Sequence, residues 1–254
     1  MHTFRGGHPV VGQDVQPNIF NTTLTMLLWI ILIIVPLLFG LYAQMKIHSA
    51  YAKNVEIPSR GQIHGSEAAL AVMQSAGITD VEVVEVEGRL TDHYDPINKR
   101  LALSSDNFHG TSLAALGVSA HEAGHAIQHK VGYAMMGIRQ SLAPATQIAS
   151  GVANIVLIAG IFLFSSAIGG TLLKIGAIAL AIICVFQFVT LPVEFDASRR
   201  AKVELVRLGI LNSDEMPGVN ETLDAAALTY VAAFVASLGT LLHILLQLSG
   251  RSDD

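Results

Sequence analysis

LTMLLWIILIIVPLLFGLYA, Leu24 to Ala43, runs for twenty residues without a charged side chain. A helix rises about 1.5 Å per residue, so about 20 apolar residues cross the ~30 Å hydrocarbon core of a bilayer. The stretch therefore predicts a first transmembrane helix over 24–43. Its Pro36 is tolerable there if neighbours or a local rearrangement satisfy the carbonyl it leaves free. The run starts behind a polar tail, residues 1–23, whose one Lys or Arg is Arg5. It starts later and runs longer than a signal-peptide core, which predicts an uncleaved anchor.

Working outward, three more blocks have the same character. Residues 151–170 carry no charge, residues 171–192 carry only Lys174, and residues 225–248 carry none, with a single histidine, His243. The second and third meet around Gly169-Gly170-Thr171, too short a connection for anything but a helical hairpin. Four spans explain why 52% of the 254 residues are hydrophobic and only 14% are charged, at a mean hydropathy of +0.52. A disordered chain is excluded by that composition, and an ordinary soluble globule, at about 25% charged, fits it poorly. The lone Cys184 excludes an intramolecular disulfide or a cysteine metal cage, and no basic stripe points to nucleic acid.

The charges also predict an orientation. Twelve of the fifteen Lys and Arg residues fall in 44–150 and 193–224, leaving Arg5, Lys174 and Arg251 on the other side. The positive-inside rule then puts both segments in the cytoplasm, with the 1–23 and 249–254 tails outside.

Segment 44–150 is long enough for a small α+β unit. Ser66 is a potential cap for a helix through Glu67–Ala76 that stops at Gly77. Val81–Val86 (VEVVEV) reads as a strand, Asp95-Pro96 as a turn and Arg100–Ser104 (RLALS) as the returning strand of a hairpin. Thr111 or Ser112 can cap a helix over Leu113–His129.

That last helix contains His121-Glu122-Ala123-Gly124-His125, an HExxH. Histidines four apart share a helical face and can hold one zinc ion, with Glu122 placed as general base toward a water whose pKa the metal lowers. The third histidine of the longer HExxHxxGxxH pattern is absent, because Val131 stands there. His129 lies four residues on, but its face has turned by about 80° from that of the pair, which suits an outer role. A carboxylate from elsewhere completes a His₂Glu set better. Glu194, at the cytoplasmic end of the third span, leads Glu204 and Glu215. All three emerge on the same side as His125, because two spans intervene. Two histidines and a glutamate suit zinc, one per chain, without excluding another metal.

Four blocks in this order, Thr91–Pro96 (TDHYDP), His121–His129 (HEAGHAIQH), Leu191–Ala201 (LPVEFDASRRA) and Leu228–Ala232 (LTYVA), resemble the YugP-like bacterial membrane zinc metallopeptidases. The resemblance covers most of the chain from about residue 60. More distantly the plan is similar to the HtpX and CaaX-prenyl protease group, where a glutamate after a transmembrane hairpin is the third metal ligand, which again implies Glu194. That group often carries an aspartate four residues after the ligand. Here the position is Ser198 and Asp196 is expected to point elsewhere, so a carboxylate supporting a ligand histidine must come from another part of the chain. His93, Tyr94 and Asp95, with His129, are candidates for that support or for stabilising the transition state, and a polar turn explains the first three equally well. Asn107 and His109 read as loop and capping residues.

The expected fold is a multi-pass helical membrane protein of about four spans with a small α+β zincin-like unit. The expected activity is peptide-bond hydrolysis on membrane or membrane-proximal proteins, with the bilayer and peptide or membrane-protein substrates as partners and accessory membrane proteins possible. Other readings are a non-catalytic scaffold or quality-control factor with a structural metal and an intramembrane site-2-type protease. The last expects an Asp in a later span, which the three spans from 151 onward lack. A transporter fits four uninterrupted spans poorly.

Overall fold

The computed structural model describes residues 24, 26–163 and 166–250, so the 1–23 tail and most of the 249–254 tail lie outside the described residues. Four helices among these are long and apolar enough to span a membrane: Met26–Asn54, Ala134–Phe162, Ile168–Arg207 and Met216–Ser249. The HExxH helix is not one of them. A small three-stranded sheet and shorter helices make up the rest.

The first span enters through a single π-helical turn, Ile30–Ile34, and continues as α1 (Val35–Asn54). Pro36 has no N–H to give the Leu32 carbonyl, and the wider turn falls at that point. A Cβ built on Gly239 would come within 2.3 Å of that same carbonyl. The absence of a side chain at Gly239 is what lets the last helix lie against the turn. Trp29 and His243 meet across this contact with ring centroids 3.8 Å apart, and His243 is bonded to Gln247 at 2.8 Å, so it knits the two spans together.

Helix α2 (Gly65–Ser75) begins earlier than expected, because the backbone N–H of His64, not a Ser66 cap, is the one satisfied by the Glu67 carboxylate, at 2.8 Å. It stops before Gly77 (φ +69°). Strands β1 (Glu82–Val86), β2 (His93–Asp95) and β3 (Arg100–Ser104) form a sheet in the order β1-β3-β2. This corrects the expected hairpin. Asp95-Pro96 does turn the chain into β3, but from β2, whereas β1 pairs with β3 in parallel. The reason is burial: Leu101, Ala102, Leu103 and Ser104 are at most 3% exposed, so β3 is the central strand and needs partners on both edges. β2 is too short, at three residues, to announce itself by alternation.

After a single turn α3 (Ser105–Phe108), helix α4 (Leu113–Lys130) starts at Ser112, whose hydroxyl accepts the Ala115 N–H. Helices α5 (Ala134–Phe162), α6 (Ala167–Arg207) and α7 (Met216–Gly250) follow. Both α5 and α6 extend well past their apolar blocks. α6 runs through Pro192 without breaking, so Glu194 lies within a helix and not in a connecting segment. The spans form a row, α5 on α6, α6 on α7 and α7 on α1, and α4 packs across the extended ends of α6 and α7. The main core lies there, among Leu101, Leu103, Leu116, Ala120, Leu205 and Val219, all fully buried.

Candidate metal centre

The four-residue spacing in α4 turns His121 and His125 to one face, with ring centroids 4.8 Å apart. Glu194 of α6 faces them, 2% exposed. Its Oε2 is 3.2 Å from His121 Nε2 and 3.5 Å from His125 Nε2. Two donors about 2.1 Å from one tetrahedral zinc stand about 3.4 Å apart, so these separations suit a shared ion. Both Glu194 oxygens are buried without a well-formed hydrogen bond. A buried carboxylate is stabilised by a cationic partner, and a metal held between its Oε2 and the two imidazoles would supply one. The three residues form a cluster able to hold a metal, their ligand atoms within 4.8 Å of one another.

Close approach of the two helices is a matter of one missing methyl group. A Cβ on Gly124 would stand 2.6 Å from the Ala197 carbonyl oxygen, so glycine within the HExxH lets α4 press against α6 one turn beyond Glu194. Around the cluster the hydrogen bonds fix how the rings present themselves. Gln128 Nε2 donates to the Val193 carbonyl at 2.7 Å and to Asp196 at 2.9 Å. A carbonyl can only accept, so the amide is oriented and its Oε1 is left to accept from His125 Nδ1 at 3.0 Å. His125 therefore carries a proton on Nδ1, and Nε2, the atom facing Glu194, is the one that could serve a metal. His121 Nδ1 lies 3.0 Å from the Ser198 hydroxyl. Burial pushes the His125 imidazole down, but the adjacent Glu194 and Glu122 carboxylates outweigh it and hold its pKa above the ordinary value.

Here the sequence reading needs a second correction. Asp196 does not point away from the site. It reaches His125 through Gln128, while Arg199 and Arg200 neutralise it from its other side. The carboxylate support comes from the same turn of α6 as Glu194, relayed by an amide.

Arg139 of α5 was not anticipated. Its Nη1 is 3.4 Å from Glu194 Oε1, and the hairpin geometry alone contained the signal. Arg139 lies about as far before the α5–α6 turn as Glu194 lies after it, so antiparallel packing sets them at one height. Tyr230 of α7, inside the LTYVA block, was not assigned to the site for the same reason. Glu194 is thirteen residues before the end of α6 and Tyr230 fourteen after the start of α7, about 20 Å along each helix. Tyr230 shares with His121 and Glu122 a cleft of about 330 Å³, closed by Tyr51 of α1 and Asp92. Glu122 is 8% exposed.

The other sequence candidates lie elsewhere. Tyr94 donates to or accepts from His129 Nδ1 at 2.8 Å, and the two line a separate hollow with Asp80, Lys99 and Lys130. Burial raises the Tyr94 phenol pKa. Asp95 caps the turn into β3, accepting from the Ile97 and Asn98 backbone and the Asn98 amide, bonds that depress its pKa. His93 is exposed and bonded to the Thr91 carbonyl. Asn107 is more than a loop residue. It is fully buried and joins Tyr51 to Asp92. His109 is exposed and faces Glu85 at 3.2 Å.

Residues 29–249 match a family described as "putative neutral zinc metallopeptidase". The chain belongs to this family. It is also 39% identical, over 229 residues, to the "putative membrane protease YugP" of Bacillus subtilis (strain 168), an alignment covering 90% of this chain and all of that protein. No solved structure matches. The family implies zinc as the metal, and the His121, His125 and Glu194 cluster is chemically suited to it. With the four apolar helices, membership makes this a membrane protein of the zinc metallopeptidase class.

Proposed function

We propose that this chain is an HExxH-plus-Glu endopeptidase that holds one zinc ion through His121, His125 and Glu194 and uses Glu122 as its general base. The observation that carries this reading is the buried Glu194 carboxylate, unsatisfied by hydrogen bonds and faced by two imidazole Nε2 atoms at 3.2 and 3.5 Å. When bound there, zinc would supply a Lewis acid and bring the pKa of a water toward 7. Glu122, bordering the cleft beside His121, would accept a proton from an attacking water and pass it to the departing amine. Asp196, Gln128 and Ser198 hold the imidazoles in place, which limits how far the rings can swing during turnover.

The charge-free stretches of the four spans end at Lys46, Arg139, Glu194 and Asp224. Two of these four border the cluster, which supports a catalytic face at the membrane surface. The concentration of Lys and Arg on that side supports the cytoplasmic side of a bacterial inner membrane. Substrates are then membrane or membrane-proximal proteins.

The test is Glu122→Gln in the full-length protein in detergent. It keeps stoichiometric zinc and loses turnover of a fluorescently labelled casein by roughly 10²–10⁴-fold, the range for a positioned acid–base group. Unchanged cleavage by that variant at confirmed zinc content would reject the mechanism.

A further inference from the structure

Attack on a peptide carbonyl places negative charge on its oxygen, and a donor aimed at that charge contributes more than one that binds the substrate alone. Tyr94 and His93 look suited to this in the sequence, but neither borders the cleft that holds Glu122. Among the hydroxyl groups that do, Tyr51 donates to Asn107, Thr222 to the Gly218 carbonyl and Thr229 to the Ala226 carbonyl. Each proton is committed to a protein acceptor away from the reacting centre. Tyr230 differs. It lines the cleft beside His121 and Glu122, and its hydroxyl is directed at Glu194, a member of the metal cluster itself, and not at an acceptor away from it.

From this geometry, and resting on the peptidase reading above, we propose that Tyr230 is a catalytic residue whose phenolic hydroxyl donates a hydrogen bond to the oxyanion of the tetrahedral intermediate. The phenol is a neutral donor, so it binds a neutral peptide carbonyl weakly and the anion strongly, as differential stabilisation requires. It sits on a spanning helix, α7, whose height relative to Glu194 is set by the short 208–215 connection and not by a mobile loop. Arg139 is less suited, because it does not border the cleft that holds Glu122. The competing role for Tyr230 is support of the ligand carboxylate alone, and the two roles separate experimentally.

Tyr230→Phe is compared with the wild-type full-length protein in detergent, both zinc-loaded, using an internally quenched peptide that the wild type cleaves. Zinc affinity is measured by chelator competition. Binding of a phosphinic peptide, whose tetrahedral anion imitates the intermediate, is measured in parallel. The expected result is a kcat lower by about 10²–10³-fold, with KM and zinc affinity within a few-fold of wild type. Phosphinic peptide affinity falls with kcat, while affinity for the uncleaved peptide, read in a Glu122→Gln background, does not move. Loss of zinc affinity with kcat restored at saturating zinc overturns the proposal in favour of ligand support. Unchanged kcat overturns it, as does a fall in kcat that leaves phosphinic peptide binding intact. A zinc-loaded wild type that cleaves no peptide and binds the phosphinic compound no better than the matching peptide rejects the peptidase reading itself, and this assignment with it.

Discussion

The two halves of α6 are one unbroken helix in two different surroundings. In the first half, Ile178 is 65% exposed and Val185 52%, apolar side chains turned outward from the row of spans. In the second half, Val193, Ala197, Ala201 and Leu205 recur every four residues and are all fully buried, a stripe against α4 and the core beyond it. The first half is apolar nearly all round, packing Leu173, Ala177 and Leu180 on the neighbouring spans and turning the rest outward. The other half is amphipathic, and its small residues with Gly124 bring two helices close enough to share ligands. Glu194 stands at the joint. Its neighbours on the chain are set by the membrane and its chemical partners by the packed unit.

The largest expected effect tests that joint. Glu194→Ala removes the one carboxylate of the cluster, and the purified protein should lose stoichiometric zinc, read by metal analysis, and all measurable peptide cleavage with it. Retention of one zinc per chain would move the third ligand elsewhere. Next in size is a matched pair of truncations along α6. Leu205→Ala should destabilise by about 2–5 kcal/mol, as for other fully buried leucines. Ile178→Ala, turned outward, should stay within about 0.5 kcal/mol. Both are read by unfolding in the same detergent. Similar losses at the two sites would mean that the outward face of the first half is covered by something.

A smaller effect tests the relay. Gln128→Leu removes the amide that orients His125 and links it to Asp196, and zinc affinity should fall by roughly 10–100-fold, the usual scale for a residue holding a ligand histidine. An affinity within twofold of wild type in chelator competition would show that Gly124 packing alone positions the ring.

Much of this was legible in the sequence, for identifiable reasons. The four spans announced themselves because about 20 uncharged residues have few alternatives. The HExxH pair came from helical periodicity, and Glu194 from its place at the end of the third span and from the resemblance, since counting membrane crossings leaves Glu204 and Glu215 on the same side. What escaped depended on three dimensions. The extended ends of α5 and α6 are polar enough to read as loop, since no apolar block marks them. β3 paired with two strands where a local reading finds one. Gln128 looked like any polar residue near a helix end, because nothing local shows that Val193 and Asp196 of another helix meet its amide. Arg139 and Tyr230 needed the heights of three helices compared.

The smallest expected effect concerns a residue that a motif block singled out. Tyr94 belongs to TDHYDP, and next to a zinc motif a tyrosine suggests transition-state chemistry. The structure gives it other work. Its hydroxyl is bonded to His129 Nδ1, and the hollow they line shares no residue with the cleft that contains His121, Glu122 and Tyr230. β2, which carries Tyr94, is the edge strand paired to β3, so the ring packs against the core from the side of α4 that faces the sheet. Removing the hydroxyl costs one partly exposed hydrogen bond, about 0.5–1.5 kcal/mol of stability at most, and touches no group of the metal cluster. Tyr94→Phe should leave kcat and KM within twofold of wild type, as should His129→Ala, while Tyr230→Phe does not. A hundredfold loss of kcat in Tyr94→Phe at unchanged zinc content would place the reacting carbonyl on the sheet side of α4 and invert the comparison between the two clefts.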